Sequence, residues 1–86
     1  MDYSLKQDGF ELLVEAEKER VKEEVLSSYI SLRKKKGITQ QQIAELTGMQ
    51  RTNIVRIESG RYSPTIEVLV KLAAALDMDL EIRLVE

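Results

Sequence analysis

Three glycines, Gly37, Gly48 and Gly60, most limit how the C-terminal two thirds of this 86-residue chain can fold. Glycine adopts the left-handed backbone conformation without a steric penalty, so it is the usual residue just past a helix C-terminus. The spacing of these glycines predicts two short helices, at Gln40–Thr47 and Arg51–Ser59, which are joined by a tight turn that begins at Gly48. The sequence therefore predicts a helical domain in this region.

Residues typical of helix N-termini also occur in this region. Thr39 followed by Gln42 is a capping box, in which each side chain bonds the backbone amide of the other residue. Pro64 and Thr65 open a further helix, with Thr65 as its N-cap. We expect the first short helix to bury Ile43 and Leu46. The apolar positions of the later helices are Ile54, Ile57, Ile66, Leu69, Val70, Leu72, Ala73 and Leu76.

The stretch before Gly37 contains neither proline nor glycine from Phe10 onward and predicts helix up to Lys36. Its length exceeds the ~10–14 residues of an average globular helix. One long helix and two helices with a bend both satisfy the pattern, and the choice stays open. The apolar residues near one helical face are Phe10, Val14, Val21, Val25, Tyr29 and Leu32.

The last residues alternate apolar and charged side chains from Met78 to Leu84, which is typical of a half-buried β-strand. A single strand leaves its backbone groups unpaired, and the chain contains no second strand pattern. Pairing with the same strand of a second copy, across a two-fold axis, solves this problem and predicts a homodimer. A helical extension or a disordered tail is the alternative.

Charge is distributed unevenly along the chain, although its net value is only −2. Residues 1–24 carry −4, residues 25–61 carry +5 and residues 62–86 carry −3. This asymmetry indicates an anionic partner for the middle segment, and a merely solvated face is the alternative. Two alternatives also apply to individual basic residues. The run Lys34–Lys36 either contacts that partner or stabilises the C-terminus of its own helix. Arg61 either contacts a phosphate or is an ordinary surface residue.

Cysteine and histidine are both absent. This excludes disulfides, Cys/His zinc sites and catalysis through a thiol or an imidazole. A Ser–Lys dyad is the one formal catalytic possibility, and there is no nucleotide-binding glycine motif. We therefore predict that the protein is not an enzyme and needs no metal or cofactor. It also lacks a membrane span and signal-peptide features, so we expect a cytoplasmic protein.

The two short helices carry the functional prediction. A tight glycine turn between them, with polar side chains exposed on the second, describes a helix-turn-helix that docks in the major groove of DNA. Arginine can bridge O6 and N7 of guanine, and asparagine can bridge N6 and N7 of adenine. The residues predicted to read bases are Arg51, Thr52, Asn53 and Arg56. Those predicted to contact the DNA backbone are Thr39, Gln40, Gln41 and Arg61.

The ordered set of motifs resembles the phage-repressor-type (Xre/Cro/cI) helix-turn-helix family over roughly residues 26–86. The matching elements are Leu32-Arg33, Gly37-Ile38-Thr39-Gln40, Ile43-Ala44, Gly48, Ile54, Arg56-Ile57-Glu58, Gly60, Pro64-Thr65 and Ala73 to Leu76. The resemblance implies an all-α, lambda-repressor-like five-helix domain that is often dimeric and binds palindromic operator DNA. It also implies a phosphate contact from Gln40 and an ion pair between Arg33 and Glu58.

Two positions depart from the pattern of this family. Gln50 stands where Ser or Thr usually caps the recognition helix, so its side chain is a poor cap and a further candidate for DNA contact. Asp77 replaces a common glycine and is expected to adopt the left-handed conformation at little cost.

The N-terminal segment carries an acidic stripe at i,i+4 spacing, formed by Glu11, Glu15, Glu19 and Glu23. The stripe is either a docking face for a basic partner or an ordinary charged helix, and it is expected to point away from DNA phosphates. Together with the ending Asp79–Glu86, this segment resembles the antitoxin branch of the family. Members of that branch bind a toxin protein and repress their own operon.

These observations predict three parts: an N-terminal acidic helical extension at 1–24, a DNA-binding domain at 25–77 and a C-terminal dimerisation strand at 78–86. The predicted function is a sequence-specific transcriptional repressor that binds a palindromic operator as a dimer. The alternatives are an antitoxin of a type II toxin–antitoxin pair, which neutralises a basic toxin and autorepresses its operon, and a helical interaction module without a DNA role.

Overall fold

A computed structural model describes residues 7–86 and places four helices within that range. Helix α1 spans Gln7–Lys35, α2 spans Gln40–Thr47, α3 spans Arg51–Glu58 and α4 spans Ile66–Ala75. The first six residues of the predicted N-terminal extension lie outside the described part of the chain. The helical class predicted from the sequence is confirmed for the described residues.

Helix α1 is a single uninterrupted helix of 29 residues, about 43 Å long. No proline or glycine after Gly9 interrupts its backbone hydrogen bonds, so of the two alternatives the single long helix is correct. The predicted count of five helices is therefore wrong for residues 7–86. The predicted extension is also not a separate element, because residues 7–24 are the first part of α1.

The helix ends form as the sequence predicts. Gly37, Gly48 and Gly60 all have a left-handed backbone, with φ of 71°, 74° and 78°. At the end of α1 the Ile38 N–H donates to the Arg33 carbonyl and the Gly37 N–H donates to the Lys34 carbonyl. This pair of bonds is a Schellman motif, which satisfies the last carbonyls of the helix.

The end of α4 repeats this arrangement with an aspartate in place of the glycine. The Met78 N–H donates to the Ala73 carbonyl, and the Asp77 N–H donates to the Ala74 carbonyl. Asp77 has φ 58°, so the predicted left-handed conformation is confirmed. Aspartate tolerates this region better than most side chains do.

The core lies between the C-terminal part of α1 and the three shorter helices. The buried apolar residues are Leu26, Tyr29, Ile43, Ala44, Ile54, Ile57, Leu72 and Leu76. The expectation that α2 buries Leu46 is wrong, because Leu46 is 64% exposed and Ala44 faces the core instead. Phe10, Val14 and Val21 remain exposed, so only the end of α1 contributes to the core.

Residues 78–86 follow α4 without regular secondary structure, so the predicted strand is not present in the single chain. A strand requires a neighbouring strand that supplies backbone hydrogen bonds, and no other segment among residues 7–86 is extended as a strand to provide them. The apolar residues Ile82, Leu84 and Val85 at this end are 64%, 104% and 89% exposed.

Candidate nucleic-acid interface

The N-terminus of α2 is held by the predicted capping box. The Thr39 hydroxyl oxygen accepts the Gln42 N–H at 3.1 Å, and the Gln42 side-chain oxygen accepts the Thr39 N–H at 2.8 Å. This reciprocal pair satisfies two amide donors at the helix start and sets its direction. Thr39 and Gln41, two of the predicted backbone contacts, are exposed beside it.

The buried residues of α3 determine which of its side chains face outward. Ile54 and Ile57 are 0% and 1% exposed. At about 100° per residue, the opposite face of the helix carries Thr52 and Arg56. Both of these side chains are exposed, as expected for residues predicted to read bases.

Three further candidates surround this outward face. Arg51 and Asn53 lie on its two edges in the first turn of α3, and both are exposed. Gln50 occupies the N-cap position with an extended backbone, and its side chain makes no capping hydrogen bond. The prediction that Gln50 is a poor cap is therefore confirmed, and its amide group remains on the surface at the start of the helix.

A buried ion pair joins α1 to α3. The Arg33 guanidinium contacts both carboxylate oxygens of Glu58, with Nη2–Oε1 at 2.7 Å and Nε–Oε2 at 2.9 Å. The two side chains are 9% and 7% exposed. This two-point geometry constrains both position and orientation. The ion pair implied by the family resemblance is thus confirmed, and it sets where the end of α3 sits relative to α1.

Gln40 belongs to the same network. Its side-chain amide donates to Glu58 Oε1 at 3.2 Å. Gln40 is therefore held against the ion pair by its amide group, rather than extended freely into solvent. Tyr29 is buried nearby, and burial together with the Glu58 carboxylate raises the pKa of its hydroxyl above the ordinary range. Tyr29 is consequently neutral at physiological pH and adds no charge to the network.

A surface groove of about 660 Å³ brings several predicted contacts together. It lies between the end of α1, the start of α2 and one edge of α3. The predicted DNA-contact residues that line it are Thr39, Gln40, Gln41 and Arg51. The other five candidates do not line this groove. Four of them lie at the start or on the outer faces of α3, and Arg61 is exposed in the following loop.

The three lysines at the end of α1 have different roles. Lys36 Nζ donates to the Leu76 carbonyl oxygen at 2.6 Å, so this lysine satisfies the end of α4 rather than that of its own helix. Lys34 lines the groove beside Gln40 and Arg51. Lys35 is exposed outside the groove. In the sequence the three lysines form a single run, and only the fold shows that their contacts differ.

Lys34 and Val55 are two groove residues that the predicted contact set did not include. Val55 is 41% exposed, and apolar side chains of this kind contact the thymine methyl group in the major groove. Val55 lies four residues after Arg51 and therefore on the same edge of the helix. This helical spacing could have identified Val55 as a contact candidate from the sequence. For Lys34 the sequence offered only its membership of a lysine run.

Within residues 7–86 no group of acidic side chains is arranged to hold a metal ion. No helix in the same range combines the length and apolar character that crossing a bilayer requires.

A family model described as Helix-turn-helix matches residues 30–82, which is more than half of the chain. The match contains α2, α3 and α4 entirely, together with the end of α1 that carries Arg33. The chain belongs to the Xre-type helix-turn-helix family. The resemblance seen in the sequence is thereby confirmed, and the family is one of DNA-binding transcriptional regulators.

Three relatives illustrate this membership. An uncharacterized HTH-type transcriptional regulator of Methanothermobacter thermautotrophicus is 43% identical over 51% of this chain. Another, from Haemophilus influenzae, is 38% identical over 67% of the chain. The ImmF control region 10 kDa protein of Bacillus phage phi105 is 38% identical over 58% of the chain. The alignments span 64%, 59% and 56% of the respective relatives. No solved structure matches the chain.

Proposed function

We propose that this protein is a sequence-specific repressor that binds a palindromic operator as a homodimer. The observation that carries the proposal is the outward face of α3, where exposed polar and basic side chains stand opposite the buried Ile54 and Ile57. A short helix with this arrangement fits the major groove through its N-terminal residues. The control-region name of the phage phi105 relative supports a repressor within this family.

The proposed contacts fall into two classes. Arg51, Thr52, Asn53 and Arg56 read base edges, with Gln50 at the rim of this set. Thr39, Gln40, Gln41 and Arg61 contact the sugar–phosphate backbone and set the register of the protein on DNA. The bond from Gln40 to Glu58 supports the second class, because it orders the Gln40 side chain before DNA arrives and so lowers the entropy lost on binding.

The distribution of charge also supports contact between DNA and the surface around α2 and α3. The segment 25–61 carries a net charge of +5 and contains only two acidic residues. One of these, Glu58, is paired with Arg33 inside the protein. The other, Glu45, accepts a hydrogen bond from Gln41 at 3.3 Å. The bond from a neutral amide leaves the Glu45 carboxylate charged, so outside the Arg33–Glu58 pair this segment carries six basic residues against one acidic residue, an excess that favours a phosphate backbone.

Dimerisation is proposed to occur through the C-terminal segment, residues 78–86. Its exposed apolar side chains, and those of Ile66 and Val70 on α4, are 40% to 104% exposed in the single chain. Pairing of residues 78–86 with the same segment of a second copy supplies the missing strand partner and covers this apolar surface. The proposed division of the chain is then 1–24, 25–77 and 78–86.

Selection of bound duplexes from a random-sequence library tests the proposed function. The expected product is a palindrome whose half-sites are centred about 34 Å apart or a multiple of that distance. Binding of the selected duplex should weaken steeply as salt rises, because each neutralised phosphate releases counterions. Recovery of no common sequence, or a flat salt response, would contradict the proposal.

Deletion of residues 79–86 tests the dimer. The truncated chain is expected to have the monomer mass by light scattering and to bind the selected operator poorly. A truncated chain that remains dimeric would show that another surface holds the two copies together.

A second candidate function is that of an antitoxin, and one observation favours it. A groove of about 520 Å³ runs along the exposed half of α1 and is lined mainly by apolar side chains, including Leu13, Val21 and Leu69. Acidic residues outnumber basic ones two to one along residues 9–24 of the same helix. An apolar groove on an acidic helix suits a partner with a basic, amphipathic surface.

Co-expression with the product of an adjacent gene for a small basic protein tests this candidate. The expected result is a stable complex that Val21→Glu disrupts, since this substitution places a charge in the groove, while operator binding by the variant is kept. A neighbourhood without such a gene, or a complex that Val21→Glu leaves intact, would contradict docking in this groove.

A further inference from the structure

Lys22 joins the N-terminal half of α1 to the end of α3, the recognition helix of the helix-turn-helix. Its Nζ donates to the carbonyl oxygen of Gly60 at 3.1 Å, across 38 positions of sequence. The same ammonium contacts the two carboxylate oxygens of Glu19 at 3.1 and 3.0 Å. The Lys22 side chain is only 13% exposed, whereas that of Lys18, one turn earlier, is 49% exposed. Lys22 therefore makes a tertiary contact, not only a local one.

Gly60 is the residue at which the chain leaves α3. It has a left-handed φ of +78°, and its N–H donates to the Ile57 carbonyl at 3.1 Å. The carbonyl of Gly60 and the N–H of Arg61 belong to one planar peptide group. A bond to that carbonyl consequently sets the plane from which Arg61 emerges. Without it, the conformational freedom of glycine lets this peptide rotate.

The bond from Lys22 to Gly60 lies at the C-terminal end of α3, where a cation is favourable. The C-terminal end of a helix leaves carbonyl groups without partners and carries partial negative charge. Lys22 supplies an ammonium to this end of α3 from a different helix. Ser59 also contributes there, since its hydroxyl donates to the Arg56 carbonyl at 2.8 Å.

We infer that Lys22 is a positioning residue for DNA binding, because it fixes the Gly60 carbonyl and thereby aims Arg61 at the DNA backbone. The inference rests on the proposed DNA-binding function and on Arg61 as one of its backbone contacts. It makes the N-terminal half of α1 part of the DNA-binding unit, although the family match begins only at residue 30. The predicted boundary after residue 24 therefore separates Lys22 from the loop that it holds.

Substitution of two lysines in the full-length chain provides a matched test. Lys22→Met keeps the aliphatic stem and removes the ammonium, and Lys22→Arg restores a donor. Lys18→Met is the control, because Lys18 also pairs with a glutamate three residues earlier and lines the same groove as Lys22. Affinity is measured with the selected operator duplex at a temperature where circular dichroism shows every variant fully folded.

Lys22→Met is expected to weaken operator binding about three- to tenfold, the equivalent of one hydrogen bond. Lys18→Met and Lys22→Arg should bind within about twofold of the wild type. Because Lys22 acts through Arg61, the double variant Lys22→Met/Arg61→Ala should bind no more weakly than Arg61→Ala alone. A purely structural role for Lys22 would change the melting temperature without this dependence on Arg61.

Three results would overturn the inference: wild-type affinity for Lys22→Met, an equal loss for Lys18→Met, or losses from Lys22→Met and Arg61→Ala that multiply. Each of these leaves the DNA-binding proposal intact, because the wild-type chain still binds its selected duplex. Failure of the wild-type chain to bind any sequence selectively would overturn both.

Discussion

The two halves of α1 belong to one helix but have opposite surroundings. In residues 9–24 the ion pairs join residues three or four apart, and most of their side chains are exposed, such as those of Lys18 and Glu15 at 49% and 63%. In residues 25–35, Leu26 and Tyr29 are buried and Arg33 pairs with Glu58, 25 positions away. The local sequence pattern is sufficient to form the whole helix, whereas contacts with the other helices determine which part of it stabilises the domain.

The largest expected difference between the two halves is the loss of stability when an ion pair is broken. Glu58→Gln leaves the Arg33 guanidinium buried without a countercharge, so the free energy of unfolding is expected to fall by about 3–5 kcal/mol. Glu15→Gln breaks an exposed i,i+3 pair and is expected to leave stability essentially unchanged. Urea denaturation followed by circular dichroism measures both. Similar losses in the two variants would remove the distinction between the halves.

Two leucines of α1 test the same comparison with apolar side chains. Leu26 is 5% exposed and Leu12 is 73% exposed. Leu26→Ala opens a cavity in the core and should cost about 2–5 kcal/mol. Leu12→Ala should remain within about 0.5 kcal/mol of the wild type. A large loss from Leu12→Ala would mean that a second copy or another surface covers the N-terminal half.

DNA binding should distinguish arginines in the two regions. Arg56→Ala is expected to weaken binding of the selected operator by about 1–3 kcal/mol and to relax selectivity at one base position. Arg20→Ala, in the exposed half of α1, is the control and should bind as the wild type does. Gel shifts with single-base variants of the operator measure this. Uniform weakening across all sequences would contradict base readout by Arg56.

The smallest expected effect compares the two helix starts of the helix-turn-helix. Thr39→Ala removes a capping bond from α2 and should cost about 1 kcal/mol in stability. Gln50→Ala should cost nothing measurable, since the Gln50 side chain makes no capping bond. Thermal denaturation of the two variants in parallel measures the difference. Equal destabilisation would mean that Gln50 supports α3 in another way.

The helix ends, the outward face of α3 and the burial of Ile43 on α2 could be predicted from the sequence, but the exposure of Leu46 and of the N-terminal half of α1 could not. The capping box at Thr39 consists of bonds between side chains and backbone amides, and the helix end at Asp77 consists of backbone bonds; both join near neighbours in sequence. Leu46 and Val14 have the same apolar character as buried residues, yet both are exposed because no other element covers their positions. Apolar periodicity predicts a helical face but not the presence of a partner for it.

Residue order alone specifies where the helices end, how charge divides along the chain and which residues stand at the start of α3. These properties depend on contacts within a few residues, which local chemistry specifies. Helix packing is required for the bonds from Gln40 to Glu58, from Lys36 to the Leu76 carbonyl and from Lys22 to the Gly60 carbonyl. Each of these bonds joins distant parts of the chain, so it forms only where the packing of the helices brings donor and acceptor together.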